Sequence, residues 1–218
     1  MKKHRSPGTR PGPRQENRKV LVLCEGETEE AYFNGLKKHL RELRPSQPGQ
    51  GRRPDPVDVE RAHRTAARLI VREALSRRAE GHSEIWAVFD TEGQNVTTLR
   101  QQVRNAPSSP SEADVHTAVS HPAFEVWLLL HHLGHGRLNG CHSSNDSEKL
   151  LKETVPDWAK GKHRRGKAGT DFSDFEDGLD QACDRAERTR TDCYEDYPWT
   201  DVHRVVHVVK GHFRTGDP

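Results

Sequence analysis

The stretch V-L-V-L-C-E-G-E-T-E-E-A-Y-F, running from Val20 to Phe33, decides the fold class. Its first five residues are apolar without alternation, and Lys19 leads into them. A short continuous apolar run of this kind is a strand covered on both faces, as in a parallel sheet. It stops at Glu25-Gly26. Thr28 then has the chemistry of a helix N-cap, and Glu29 and Glu30 suit a first helical turn. Tyr32, Phe33, Leu36 and Leu40 follow at helical spacing. The period therefore changes from strand to helix within a few residues, with a carboxylate at the junction.

The same grammar repeats further along. Val57–Ala62 reads as a weaker second strand, and Thr65 to Ala79 as a helix with Ala66, Leu69, Ile70 and Ala74 on one face. Glu84–Phe89 is another apolar run and ends at Asp90. Asn95 to Val103 reads as a helix, Val115–Val119 as a strand, and Pro122 opens an apolar helix over Phe124–Leu133. Strands alternating with helices predict an α/β fold with a parallel sheet flanked by helices. After Gly134 the pattern becomes helical, over Ser144–Val155, Phe172–Arg190 and Thr200–Phe213. The expected organisation is a disordered basic tail at 1–18, an α/β domain at 19–134, and a mainly helical region at 135–218.

Hydrophobic and charged residues each make up 31% of the chain, a balance that elsewhere signals disorder. Here the apolar residues are gathered into runs, which instead predicts a small core under very polar helices. The net charge of +2 says little about partners, but its distribution says more. The tail is basic, and a second cluster comprises Lys160, Lys162, Arg164, Arg165 and Lys167. Both suit phosphate contact, and both also suit plain solvation. Cys24, Cys141, Cys183 and Cys193 show no paired spacing, so a disulfide framework and a zinc site are disfavoured and a reduced, cytoplasmic setting is expected. No stretch reads as a signal peptide or as a membrane span.

Ligands of open parallel sheets bind at the carboxyl ends of the strands. The two clearest strands both end in an acid: Glu25 after the first, and Asp90 after the later one, with Glu92 two residues on. If these strands are neighbours, three carboxylates converge. Their repulsion is relieved by a hard divalent ion, so Mg²⁺ (or Mn²⁺) is the expected cofactor. Such an ion suits attack on a phosphodiester.

These residues carry a family resemblance. Residues 20–33 resemble the opening motif of the RloB-like family, part of the wider Toprim-like group. W-A-V-F-D-T-E (86–92) resembles its second motif. S-H-P-A-F-E-V-W-L-L-L-H (120–131) resembles a third, usually written with Asn where His121 stands, and Thr200-Asp201-Val202-His203 resembles its C-terminal pattern. The resemblance implies a Toprim-like core. By position it makes Glu25 the general acid or base and Asp90 with Glu92 the Mg²⁺ pair, where the family's usual second acid is Asp. It also implies a nuclease of anti-phage, abortive-infection defence, controlled by an ATPase partner. This chain has no G-x-x-x-x-G-K-[ST], so ATP hydrolysis would belong to that partner.

Glu125 has two readings: an acid favoured by the helix dipole, or a further catalytic carboxylate. His121 and His131 are placed to reach the same region, though a lone histidine is more often structural. Lys162, Arg164, Arg165 and Lys167 are the candidates for holding a nucleic-acid backbone, DNA or RNA with tRNA among them. Trp158 and Phe172 suit base stacking or packing. The leading expectation is a metal-dependent endonuclease. The alternative is a non-catalytic nucleic-acid-binding or regulatory subunit on the same fold. An aspartyl-phosphate receiver using Asp90 fits less well, because the acid pair and late lysine of such a site are not evident. A homo-oligomer stays open.

Overall fold

The apolar runs become the inner strands of a single sheet. A computed structural model describes residues 19–44, 54–91, 95–163, 168–189 and 197–214. The tail, Glu92, Arg164, Arg165, Lys167 and Cys193 lie outside the described residues. In chain order the elements are β1 (Val20–Cys24), α1 (Glu27–Glu42), β2 (Val57–Arg61), α2 (Ala67–Ser76), β3 (Glu84–Asp90), α3 (Val96–Asn105) and β4 (Asp114–His121). They are followed by α4 (Glu125–His132), α5 (Ser144–Thr154), α6 (Leu179–Glu187), β5 (Trp199–Thr200) and α7 (Val202–Arg214).

The strand order is β2-β1-β3-β4-β5. The first four strands are parallel, and β5 runs antiparallel to β4. The chain therefore steps from β1 outward to β2, then returns past β1 to lay down β3 and β4 on the other side. That reversal puts a topological switch point between β1 and β3. The mixed α/β architecture expected from the sequence is present, with helices on both faces.

Strand alternation sorts the core into two layers. Val20, Val22 and Cys24 point to one face with Trp86, Val88 and Ala118, under Tyr32, Phe33 and Leu36 of α1 and the apolar residues of α4 and α7. Leu21 and Leu23 point to the other with Ile85, Ala87 and Phe89, under Ile70, Val71 and Ala74 of α2 and Leu99 of α3. All of β1 is buried, which is why its sequence does not alternate.

Three local expectations are corrected. Gly26, not Thr28, is the N-cap of α1. The Thr28 hydroxyl instead accepts the Gly161 N–H at 2.9 Å. Residues 172–189, the described part of the helix expected over 172–190, do not form one helix: two single 3₁₀ turns, Phe172–Asp174 and Glu176–Gly178, precede α6. Phe172 and Phe175 are both buried there, and a Cβ on Gly178 would lie 2.3 Å from the His131 carbonyl oxygen. Packing against α4 overrides the helical pattern. Finally, Trp199–Thr200 is a strand, because the Ser120 and Thr200 hydroxyls meet at 2.9 Å across the β4–β5 pair. Cys24, Cys141 and Cys183 are buried free thiols. No helix among the described residues is long and apolar enough to cross a membrane.

Candidate carboxylate site at the strand ends

The register of β1 against β3 determines which acids meet. Cys24 pairs with Val88, and the Glu25 N–H donates to the Val88 carbonyl at 3.0 Å. Glu25 thus leaves β1 still joined to β3. Its Oε2 accepts the Asp90 N–H at 2.9 Å, which fixes it across the switch point. Asp90 is the last residue of β3, and its Oδ1 is buried without a hydrogen-bond partner.

Two further carboxylates come from helix starts. Glu29, in the first turn of α1, folds back over Gly26: a Cβ there would sit 2.8 Å from Glu29 Oε2. The backbone N–H groups of Gly26 and Glu29 lower the pKa of the Glu29 carboxyl, which stands at the third helical position, where the acid of a capping box would be. Glu125 is the first residue of α4, is 1% exposed, and has no hydrogen bond at either oxygen. Lys160, from the loop after α5, places Nζ 3.4 Å from Glu125 Oε1.

The electrostatics follow from this crowding. Burial first, then the charges of Glu29, Glu125 and Glu25, push the Asp90 carboxyl well above the usual carboxylate range, with Lys160 opposing them. Burial, with help from Glu125, raises Glu29 to about 7 despite the neighbouring backbone N–H groups and Lys160. Burial works against the Lys160 charge, yet Glu125 and Asp90 outweigh it and raise the lysine above its ordinary value. Carboxylates that repel one another in a dry place hold a proton or a cation.

The sequence-predicted residues divide accordingly. Glu25, Asp90 and Glu125 share one site at the carboxyl edge of the sheet; Glu92 lies outside the described residues. Lys162 is held by Glu30, with Nζ at 2.5 Å, and its basic neighbours Arg164, Arg165 and Lys167 are not described. His121, at the tip of β4, shares a 2.8 Å hydrogen bond through Nδ1 with Thr91, the residue after Asp90, and burial lowers its pKa. His131 is a core residue instead: Nε2 meets Tyr32 Oη at 3.1 Å and Nδ1 meets the Phe175 carbonyl at 2.6 Å. Trp158 and Phe172 are buried packing residues.

The sequence reading placed Glu29 in a first helical turn and Lys160 in the basic cluster, and neither at this carboxylate site. Glu29 carried a signal, since it lies in the first turn of the helix that begins just after Glu25 at the strand end. Lys160 carried none, because tertiary packing alone brings its loop to the site.

Among the described residues, no three His, Cys, Asp or Glu side chains are already gathered as a metal-binding set. The donor chemistry nevertheless fits a hard divalent ion. All the donors are carboxylate oxygens, and Asp90 Oδ1 and both Glu125 oxygens are buried without hydrogen bonds. Mg²⁺ needs only one or two carboxylates, keeping waters and substrate oxygens for its other positions.

No curated protein and no solved structure matches the chain. A family model described as RloB-like protein matches residues 20–209. That span takes in every strand of the sheet together with Glu25, Glu29, Asp90, Glu125 and Lys160. The chain therefore belongs to the RloB-like protein family.

Proposed function

We propose that this chain is a divalent-metal-dependent phosphodiesterase, a Toprim-type endonuclease that cuts nucleic acid in a cytoplasmic anti-phage, abortive-infection defence system and is controlled by an ATPase partner. The observation that carries this reading is the meeting of Glu25, Glu29, Asp90 and Glu125 at the switch point between β1 and β3. The sheet order alone would not suffice, since other doubly wound folds share it. The carboxylates are what point to the chemistry.

Glu25, Asp90 and Glu92 would hold Mg²⁺ or Mn²⁺, and such an ion, when bound, supplies charge neutralisation and an activated water for attack on a phosphodiester. Glu25, fixed by the Asp90 amide, is the residue assigned to proton transfer. Glu125 adds a further carboxylate from α4. Thr91 and His121 join the tips of β3 and β4 beside Asp90. Lys162, on releasing Glu30, would meet backbone phosphates together with Arg164, Arg165 and Lys167. The defence role and the ATPase partner rest on the family resemblance.

The test is purified protein with plasmid DNA and with total RNA, plus Mg²⁺ or Mn²⁺, alone and with a co-expressed ATPase from the same locus. Cleavage by the wild type, lost by at least about 100-fold in Glu25→Gln and Asp90→Asn, is expected. Cleavage that survives both substitutions would exclude this site. Salt-sensitive binding without cleavage under every condition would leave a non-catalytic nucleic-acid-binding subunit.

A further inference from the structure

Lys160 provides a positive charge where the acidic site most needs one. Its ammonium lies 3.4 Å from Glu125 Oε1, yet its side chain remains 54% exposed while that of Glu125 is 1% exposed. A buried carboxylate without hydrogen bonds is costly unless a charge compensates it. Glu125 has no hydrogen bond at either oxygen, and Lys160 supplies the charge from the solvent side.

The backbone that carries Lys160 is fixed on both sides. The Gly161 N–H donates to Thr28 Oγ1 at 2.9 Å, and the Thr170 N–H donates to the Gly161 carbonyl at 2.7 Å. The Trp158 indole donates to Thr170 Oγ1 at 3.0 Å. Gly161 itself has φ of 95°, a turn that glycine makes without strain. Lys160 is thus a flexible arm on a rigid base. Its ammonium can leave Glu125 for solvent while the loop stays in place.

We propose that Lys160 is the resident counter-ion of this site: it neutralises Glu125 until a divalent cation binds beside that carboxylate, and the cation displaces it. The proposal rests on reading the site as a metal site. Lys160 then sets the divalent concentration at which the site fills. Once displaced, its ammonium lies at the rim, where it meets an anionic ligand rather than a carboxylate.

Mn²⁺ binding to the full chain, read from the electron paramagnetic resonance of free Mn²⁺ at low salt, tests this without any activity measurement. Lys160→Met keeps the apolar stem and removes the charge. It is expected to bind Mn²⁺ about tenfold more tightly than wild type, because the ion no longer has to displace an ammonium from Glu125. Lys160→Arg, which keeps the charge, should stay within about twofold of wild type. In a Glu125→Gln background the gain from Lys160→Met should disappear. Equal affinity in wild type and Lys160→Met overturns the counter-ion role while leaving the metal site standing. Weaker binding in Lys160→Met also overturns it, since the lysine would then support the ion rather than compete with it. Mn²⁺ bound by none of these proteins overturns both readings.

Discussion

At the scale of single residues, the site and the core treat ionisable groups in opposite ways. Asp90 is crowded by other acids and is held well above the usual carboxylate range by burial first and by Glu29, Glu125 and Glu25 after it. Removing its charge should relieve the fold while it disables the chemistry. Asp90→Asn is expected to raise metal-free stability by about 1–2 kcal/mol, measured by denaturant unfolding in chelator at neutral pH. A destabilised variant would contradict the like-charge account. His131 is the converse case. Burial lowers its pKa from 6.5 to about 3, and both ring nitrogens are engaged by Tyr32 and Phe175. As pH falls, the unfolded chain takes up this proton first. The stability contributed by the neutral ring is therefore present above about 6.5 and is lost progressively as pH falls toward about 3. Between neutrality and about pH 5, wild type should lose about 2 kcal/mol more than His131→Gln. Equal pH slopes for the two proteins would remove His131 from this role. Glu25, Asp90 and Glu125 were legible in the sequence because each sits at the end of an apolar run or the start of an apolar helix. Lys160 was not, since nothing near it in the chain refers to the acids.

At the scale of elements, close approach decides where periodicity fails. The pattern over 172–190 is helical, but Phe172 and Phe175 are drawn into the core and Gly178 lets the backbone meet α4. Gly178→Ala would place a methyl group 2.3 Å from the His131 carbonyl oxygen. It is expected to cost about 1–3 kcal/mol, read from chemical denaturation. An unchanged midpoint would mean that α4 and α6 can part without penalty. Thr28 shows a related redirection. A residue suited to capping its own helix is used to hold the loop of Lys160. Thr28→Val should speed hydrogen exchange of the Gly161 amide by about fivefold while leaving α1 protected, because the bond lost is worth about 1 kcal/mol. The strands were easier to read than these contacts: β1 and β3 are continuous apolar runs, and a run of that kind has few alternatives.

At the scale of the whole molecule, the helices after residue 134 complete the core laid down before it. Trp127 and Leu128–Leu130 of α4 share one apolar cluster with Leu151, Leu179, Ala182, Val205 and Val209. Asp201 ties α7 to the sheet, accepting the Val119 N–H at 2.5 Å and Arg100 Nη2 at 2.6 Å. A chain ending at residue 134 would expose that cluster. It is expected to show no cooperative thermal transition by circular dichroism, whereas the full chain should show one. A sharp transition in the short chain would show that the first part folds alone.

The sequence by itself determined the parallel α/β sheet, because unbroken apolar strands alternating with amphipathic helices leave little else for the chain to form. It also determined that acids end two of those strands, since chain position alone puts Glu25 and Asp90 there. Only the tertiary structure decided that β1 and β3 are neighbours, that Glu29 and Glu125 join the same site, and that Lys160 faces them. Those meetings depend on strand order and on loop contacts between residues more than a hundred positions apart, such as Gly161 with Thr28. Local periodicity carries no record of contacts at that range, because it reports which side of an element is buried and not what is buried against it.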